Sequence, residues 1–252
     1  MRKGIFFGLL LCAGVLPACA QLQRAYDYGV MPTENVTSLE INPVLNVLDD
    51  SAGISSNQLI IKGYHVINGT RNWGVEVPLA RYESPEKSVS GLGDALVALA
   101  WMHPESLNGG FGYGARMETV LPTATDKRLG SGQVQLSPSA FALWSWDSGI
   151  YVAAGYKHYW SVIGDHARED INLGRFRVNV SYLSNTKWWV QTNVYYYQDF
   201  EHRGKMEVVP EAEIGTLVTV GTAIFANAST HAAGNAHSKD WSVGVGFRVL
   251  YL

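Results

Sequence analysis

This sequence is poor in charge. Of its 252 residues only 16% are charged, whereas a soluble domain carries about 25%. The 19 basic and 22 acidic residues nearly cancel, so the chain lacks the basic stripe that nucleic-acid binding requires, and we expect no nucleic-acid partner. With 12% aromatic residues and 26 glycines, the composition is typical of a chain that turns one face to lipid.

Cysteine does not occur after residue 19. Cys12 and Cys19 both lie in a leader in which Arg2 and Lys3 precede an apolar run and small residues follow at 18–20. We predict a signal peptide over residues 1–20 that is cleaved after Ala20. The mature chain would then hold no disulfide and no cysteine-based site.

Two other interpretations of the leader stay open. A short membrane anchor is disfavoured, because the apolar run 5–16 is too short to span about 30 Å of hydrocarbon. Residues 16–19 also resemble a bacterial lipobox, which would make Cys19 a lipidated N-terminus, although Pro17 fits that pattern poorly.

Long apolar runs are absent as well, since no stretch after the leader approaches the roughly 18 residues of a membrane-spanning helix. Segments of about ten residues instead alternate in polarity and end in turn residues, which is typical of a transmembrane β-barrel. In 241–249, for example, the odd-numbered residues are large and apolar, and the even-numbered ones are small or polar.

The sequence therefore predicts an all-β protein, an antiparallel transmembrane β-barrel of about twelve strands over residues 36–252. Pro43 and Pro78 interrupt the pattern, so a count two strands higher or lower stays open. The predicted strands are 36–46, 57–67, 72–81, 92–102, 110–121, 133–145, 150–160, 170–183, 188–199, 206–218, 222–231 and 240–252.

The connections between predicted strands differ in length in a regular way. Those after even-numbered strands are short, as at 68–71 and 184–187, and those after odd-numbered strands are mostly longer and more polar, as at 122–132. Short periplasmic turns opposite long outer loops are the asymmetry of a bacterial outer-membrane barrel. It places both termini, including a periplasmic segment 21–35, on the periplasmic side.

Aromatic residues that face outward by parity cluster at the ends of predicted strands. Interfacial aromatics prefer the level of the lipid headgroups. A soluble β-sandwich explains the alternation but not two rows of aromatics. The predicted lipid-interface girdle consists of Trp73, Trp101, Trp144, Trp160, Tyr182, Trp188, Trp241 and Tyr251.

Charged residues fall on the opposite, inward face. They indicate either a charged pore that sorts solutes by sign or an ion-pair network that fills a narrow barrel. The predicted pore-lining residues are Glu76, Asp94, Arg116, Glu118, Lys157, Arg175, Arg177, Glu207, Glu211, Glu213 and Arg248, with Glu40 on the same face.

Contacts within this inward set are also predicted. Arg175 and Arg177 would reach Glu211 and Glu213 across the lumen or through Gln191 and Asn193. The inward aromatics would either contact a ring-shaped solute or pack the interior; they are Tyr151, Trp189, Tyr195 and Tyr197.

Four local motifs occur in order along the chain: Gly91-Leu92-Gly93-Asp94, Leu121-Pro122-Thr123, Leu129-Gly130-Ser131-Gly132 and Leu136-Ser137-Pro138-Ser139. In this order they resemble a family of outer-membrane transporters labelled "MetA-pathway of phenol degradation", and the resemblance covers roughly residues 70–252. Ala124 stands where the family typically has glycine. The resemblance implies a barrel and the uptake of hydrophobic or aromatic compounds.

The C-terminal spacing of Gly246, Val249 and Tyr251 resembles the outer-membrane assembly signal, which implies insertion by the barrel-assembly machinery. Leu252 departs from the usual final aromatic residue.

Catalysis is disfavoured by spacing. Asn227, Ser229 and His231 share one face of a predicted strand, but Cα atoms two residues apart are about 6.6–6.8 Å apart, too far for a serine and its base. No paired metal-ligand spacing and no phosphate-binding loop occurs, so we expect no metal and no cofactor.

The sequence thus predicts a monomeric outer-membrane channel or transporter for small solutes, surrounded by outer-membrane lipid and not an enzyme. A plugged structural or interaction barrel and, less favoured, a lipid hydrolase are the alternatives.

Overall fold

Antiparallel strands make up most of this chain. The computed structural model describes residues 37–103, 110–146, 148–165, 167–184, 187–202 and 204–251. The strands are β1 (Thr37–Asp49), β2 (Ile54–Asn68), β3 (Arg71–Glu83), β4 (Ser88–Leu92), β5 (Ala95–Met102), β6 (Phe111–Leu121), β7 (Gln133–Ser145), β8 (Ile150–Gly164), β9 (Asn172–Leu183), β10 (Trp188–Asp199), β11 (Met206–Thr219), β12 (Thr222–Thr230), β13 (Ala233–Gly234) and β14 (Trp241–Tyr251).

Two sequence predictions fall elsewhere in the chain. The signal peptide 1–20 with its cleavage site and the periplasmic segment 21–35 lie outside the described residues. Across the part that is described, no helix is long and apolar enough to cross a membrane.

The strands close into a barrel. Each pairs antiparallel with its neighbours from β1 round to β12, and β14 then pairs with both β12 and β1. β4 and β5 together form one wall strand, because both pair with β3, and β13 only adds two residues to the edge of β11. The predicted barrel of twelve antiparallel strands is confirmed.

The seam between the first and last strands carries a buried ion pair. β1 and β14 pair from Thr37 with Tyr251 to Val47 with Trp241, and Glu40 lies directly opposite Arg248. Arg248 donates to Glu40 Oε2 from Nε at 2.8 Å and from Nη2 at 2.6 Å. Lys62 of β2 contacts the other oxygen of Glu40 at 3.1 Å, so one carboxylate joins three adjacent strands.

Strand bounds differ from the prediction mainly at the long-loop end. The predicted loops 47–56 and 82–91 shrink to 50–53 and 84–87, because β1, β2, β3 and β4 extend as paired hairpins. Backbone hydrogen bonds do not depend on side-chain polarity, so the ladder continues where the alternation has faded. Pairing also runs through Pro43 and Pro78, and the carbonyl of Pro78 accepts from Gly93 N at 2.8 Å.

The outward face of the wall is apolar. Leu99, Ile214 and Val245 leave about 60% of their surface exposed, and many other large apolar residues are exposed beside them. The girdle residues from Trp73 to Trp241 are likewise exposed, at 37% to 43%, and the side chain of Tyr251 lies outside the described set. Such an exterior matches the requirement of a lipid environment.

Inward-facing aromatic rings lie over glycines of the adjacent strand. Four such pairs are directly opposite each other in the register: Tyr64 with Gly74, Phe141 with Gly114, Trp189 with Gly215 and Phe225 with Gly246. A Cβ on any of these glycines would lie within 2.0–2.5 Å of the ring that covers it. The missing side chain therefore lets each ring pack flat against the wall.

An apolar cluster fills the interior near the short turns. It consists of Met102, Leu143, Tyr151, Ala153, Leu183, Trp189, Ala223 and Phe225, with Phe141 and Leu217 packed against it. Trp189 and Leu143 have no exposed surface at all, so lumen water does not reach them. This apolar cluster is contributed by strands from β5 to β12.

The loop 122–132 folds onto the inner wall at the opposite end. Gly91 lies opposite the inward-facing Ala80, and a Cβ on Gly91 would clash with Thr125 of the loop. Asp94 accepts from Ser131 N and Oγ at 2.5 and 2.8 Å and from Ala124 N at 3.2 Å. Asp94, predicted to line the pore, therefore anchors this loop.

A second loop holds the first from outside. Arg168 donates from Nη1 to the carbonyl of Gly130 at 2.6 Å and from Nη2 to that of Lys127 at 3.0 Å. The next residue, Glu169, contacts His202, and the hydrogen bond and charge of Asp199, with a smaller effect of Glu169, raise the pKa of that imidazole. The outer loops are thus linked in series over the barrel end.

Removing the seam carboxylate should destabilise the barrel. Glu40→Gln removes the buried carboxylate that contacts both Arg248 and Lys62, and we expect a loss of about 3–5 kcal/mol in the free energy of unfolding. Urea unfolding of the protein in lipid vesicles measures this free energy. Glu83→Gln is the control, because its ion pair with Arg81 is solvent-exposed and should contribute at most about 1 kcal/mol. Equal losses in the two variants would contradict the role of the seam.

Removing the loop anchor should free the loop 122–132. Asp94→Ala deletes the acceptor of three hydrogen bonds, and we expect the amides of Ser131 and Ala124 to exchange with solvent at least about tenfold faster. Hydrogen exchange of the folded protein measures this. Asp126→Ala, in the same loop, should leave Ser131 unchanged; unchanged exchange in Asp94→Ala would show that the loop is held by other contacts.

Candidate functional site

The inward face of the barrel gathers nearly all the charged side chains that the sequence placed there. Cross-strand register puts Glu76, Glu118, Arg175, Glu211 and their inward neighbours on one side of the wall. Among them Glu40, Glu118, Glu207, Glu213 and Arg248 are buried. Two predicted members, Asp94 and Glu207, lie at the long-loop end and bind loop atoms.

One ion-pair network runs along β2, β3, β6 and β8. Tyr64 donates to Glu76 at 2.5 Å and accepts from Arg116 Nη2 at 3.0 Å. Arg116 Nε lies 2.8 Å from Glu118 Oε1, and Lys157 lies 2.5 Å from the other Glu118 oxygen. Each carboxylate therefore meets a cation or a hydroxyl.

A second network crosses β9, β10 and β11 by way of amide side chains. Arg177 Nε donates to Asn193 Oδ1 at 2.8 Å, and Asn193 Nδ2 donates to Glu211 Oε1 at 2.8 Å. Asn179 donates to the same Asn193 oxygen at 2.8 Å. The predicted connection from Arg177 to Glu211 through Asn193 is thus the one that forms.

Glu213 is bound differently. Its Oε1 accepts from the indole Nε1 of Trp189 at 2.9 Å, so the buried carboxylate sits on top of the apolar cluster. The inward tryptophan therefore both packs the interior and satisfies a charged group above it.

Arg175 has no carboxylate within ion-pair distance among the described residues, and its hydrogen-bond partner is the neutral Tyr197 side chain. Its guanidinium lies over the rings of Tyr195 and Tyr159, with Cζ 5.2 and 5.7 Å from the ring centroids. Its Nε is buried and has no hydrogen-bond acceptor among the described residues. Lys157 lies directly opposite it on β8, so two cations face each other across the strand pair.

Two cavities meet at Arg175. The first, of about 390 Å³, is lined by the first network together with Arg175, Arg177 and an apolar wall. The second, of about 500 Å³, lies toward the long loops and is lined by Tyr197, Glu211 and Lys239 among others. Arg175 and Tyr195 line both cavities, so these two side chains separate the middle of the lumen from its loop end.

The residues considered for hydrolysis do not form a nucleophile and base pair. Ser229 Oγ lies 2.6 Å from Ser242 Oγ, and Lys239 donates to Ser242 at 3.0 Å. His231 instead contacts Glu207 at 3.1 Å. Within the described ranges, no group of three or more His, Cys, Asp or Glu residues is arranged to hold a metal ion.

Some interior residues were not singled out from the sequence. Lys62, Tyr64 and Tyr159 contact the charged groups, and Asn179 lies at the centre of the amide network. Parity places all four inward once the register of their strands is known. The glycines opposite inward aromatics carried a further signal, because only glycine leaves room for a flat ring.

The comparisons with known proteins identify the fold. No protein-family model and no curated protein matches the sequence. Among solved structures, the COG4313 outer membrane channel from Pseudomonas putida F1 is similar with a TM-score of 0.71 at 11% identity, over 88% of this chain and 97% of that one.

Two porins are also similar in structure to this chain, with lower TM-scores. The NanC porin has a TM-score of 0.60 at 11% identity, and the KdgM porin has 0.58 at 9%. Each match covers 85% of this chain and 99% of the porin. The chain therefore has the closed-barrel fold of outer-membrane channels and porins.

Proposed function

We propose that this protein is a bacterial outer-membrane channel that lets small solutes cross through the barrel interior. The proposal rests on the contrast between the two faces of one closed wall. The outside carries large exposed apolar side chains, and the inside carries ion-paired side chains around two cavities. A closed wall satisfies every strand edge, which a lipid environment demands.

The apolar exterior and the sequence both support a location in the bacterial outer membrane. The apolar exterior ends in the exposed aromatic girdle, which suits the headgroup level of a bilayer. The predicted signal peptide 1–20 supports export, and the C-terminal spacing supports insertion by the barrel-assembly machinery. One closed barrel needs no second copy to satisfy its strand edges, so we propose that it acts as a monomer.

The solutes are proposed to be small and amphipathic. The resemblance to the phenol-degradation transporter family suggests hydrophobic or aromatic compounds. The predicted pore-lining residues would then meet the solute in the middle of the lumen, between the apolar cluster and the inward-folded loop. Four cations and two carboxylates line the first cavity, so anionic groups are favoured there.

A plugged barrel is the second candidate, favoured by the apolar cluster. Because Trp189 and Leu143 are fully buried, the short-turn end is filled in this conformation. Such a barrel would serve as a scaffold whose loops bind partners. A hydrolase is not supported, since Ser229 contacts Ser242 and His231 contacts Glu207.

Truncating the largest side chain of the apolar cluster should widen the path. We expect Trp189→Ala to raise single-channel conductance in a planar bilayer by at least about twofold, because the indole fills the lumen at its narrow end. Trp188→Ala is a matched control, since Trp188 is the preceding residue on β10 and faces outward with 39% exposure. It should leave conductance unchanged.

The outcomes separate the two candidates. Steady current through the wild-type protein supports the channel. A silent wild type together with a conducting Trp189→Ala variant would identify a plugged barrel. Silence in both proteins, with folding verified by gel mobility, would contradict the proposal.

A further inference from the structure

We infer that the cavity beside Arg175 is a binding site for the carboxylate of a small organic acid with an apolar body. The inference rests on the proposed function and deepens it, because it names the solute class that the lumen would admit. We refer to the first cavity, of about 390 Å³, as the Arg175 cavity.

The charge of the Arg175 cavity is unbalanced. The described lining residues include four cations, Arg116, Lys157, Arg175 and Arg177, and two carboxylates, Glu76 and Glu118, which leaves a formal excess of two positive charges. Glu118 already contacts both Arg116 and Lys157. Like charges directly opposite each other on paired strands are destabilising, and Lys157 and Arg175 occupy such positions. An anion between them would relieve this repulsion.

Among the described residues neither Arg175 nor Arg177 has a charged hydrogen-bond acceptor, which also favours a bound carboxylate. Arg175 is flanked by the rings of Tyr159 and Tyr195 and hydrogen-bonded to the neutral Tyr197, and its buried Nε lacks an acceptor in the described part of the chain. In that same part of the chain, Arg177 donates to the neutral oxygen of Asn193 and to no carboxylate. A carboxylate is planar and accepts two parallel bonds from one guanidinium, which makes it the natural occupant.

Glu211 is a further carboxylate near Arg175, but it does not neutralise the arginines of the cavity. It lines the second cavity, on the other side of Arg175 and Tyr195. Its Oε1 accepts from Asn193 at 2.8 Å and from Tyr195 at 3.2 Å. It therefore stabilises the tyrosine and the amide, and forms no ion pair with either arginine.

The Arg175 cavity also has apolar lining residues. Leu96, Phe141 and Ala153 line it, and Gly155 lies directly opposite Arg177 and leaves room above that side chain. Small-molecule sites commonly have volumes of about 300–1,000 Å³ and combine apolar walls with a few polar groups. A single ring or a short alkyl chain attached to a carboxylate fits both the volume and the distribution of charge.

Isothermal titration calorimetry of the full chain, folded in detergent, tests the site. Benzoate is the probe, and benzyl alcohol is its neutral analogue of similar size. We expect saturable binding of benzoate and at least about tenfold weaker binding of benzyl alcohol, because the alcohol forms no charge-assisted hydrogen bond. Equal affinities for the two compounds would overturn the inference.

Variants place the binding at Arg175. Arg175→Gln should weaken benzoate at least about tenfold, and Arg175→Lys should have a smaller effect, because it keeps the charge and loses the planar fork. Arg81→Gln is the matched control, since Arg81 is exposed on the outer face. Wild-type affinity in Arg175→Gln would overturn the assignment. If Arg175→Gln does not fold, the comparison of benzoate with benzyl alcohol on the wild-type protein tests the inference.

Conductance measured on the same preparations keeps the two proposals separate. Current without benzoate binding would support the channel proposal and contradict the binding site for organic acids. Saturable, Arg175-dependent binding in a protein that never conducts would support the site and contradict the channel.

Discussion

The pairing of β14 with β1 is the contact on which the rest of the barrel depends. Among the described strands it pairs the two edges that the other pairings leave free, and an unpaired strand edge is unfavourable in hydrocarbon. The seam also fixes the register of the whole wall, because a slip of one residue would turn every side chain to the other face. Glu40 strengthens this register by binding Arg248 and Lys62 from either side.

Because of this register, the lumen has three zones along the barrel axis. The apolar cluster lies near the short turns, the charged networks lie in the middle, and the loop 122–132 folds in at the far end. Trp189 joins the first two zones by donating to Glu213, and Arg175 joins the second and third by lining both cavities. A solute entering from the loop end would meet cationic groups before it meets apolar ones.

Much of this architecture was predictable from the sequence, because parity along a strand is a local property. Trp188 and Trp189 were assigned to opposite faces from alternation alone, and the structure places them there. The loop contact of Asp94 was not predicted, because Asp94 lies between β4 and β5, where the wall strand breaks and the carboxylate binds loop 122–132. Contacts such as Trp189 with Glu213 depend on the register between strands, which one sequence does not specify.

The central claim is that the charged middle of the lumen is the path that solutes take. A protein that begins at Gln21 contains no cysteine, so Ser139→Cys introduces a single thiol into the Arg175 cavity. The most direct measurement is bilayer current through this variant before and after addition of a charged, membrane-impermeant thiol reagent. The account predicts that the current falls after modification and stays unchanged in the cysteine-free protein. Full current after complete modification, verified by mass spectrometry, would contradict it.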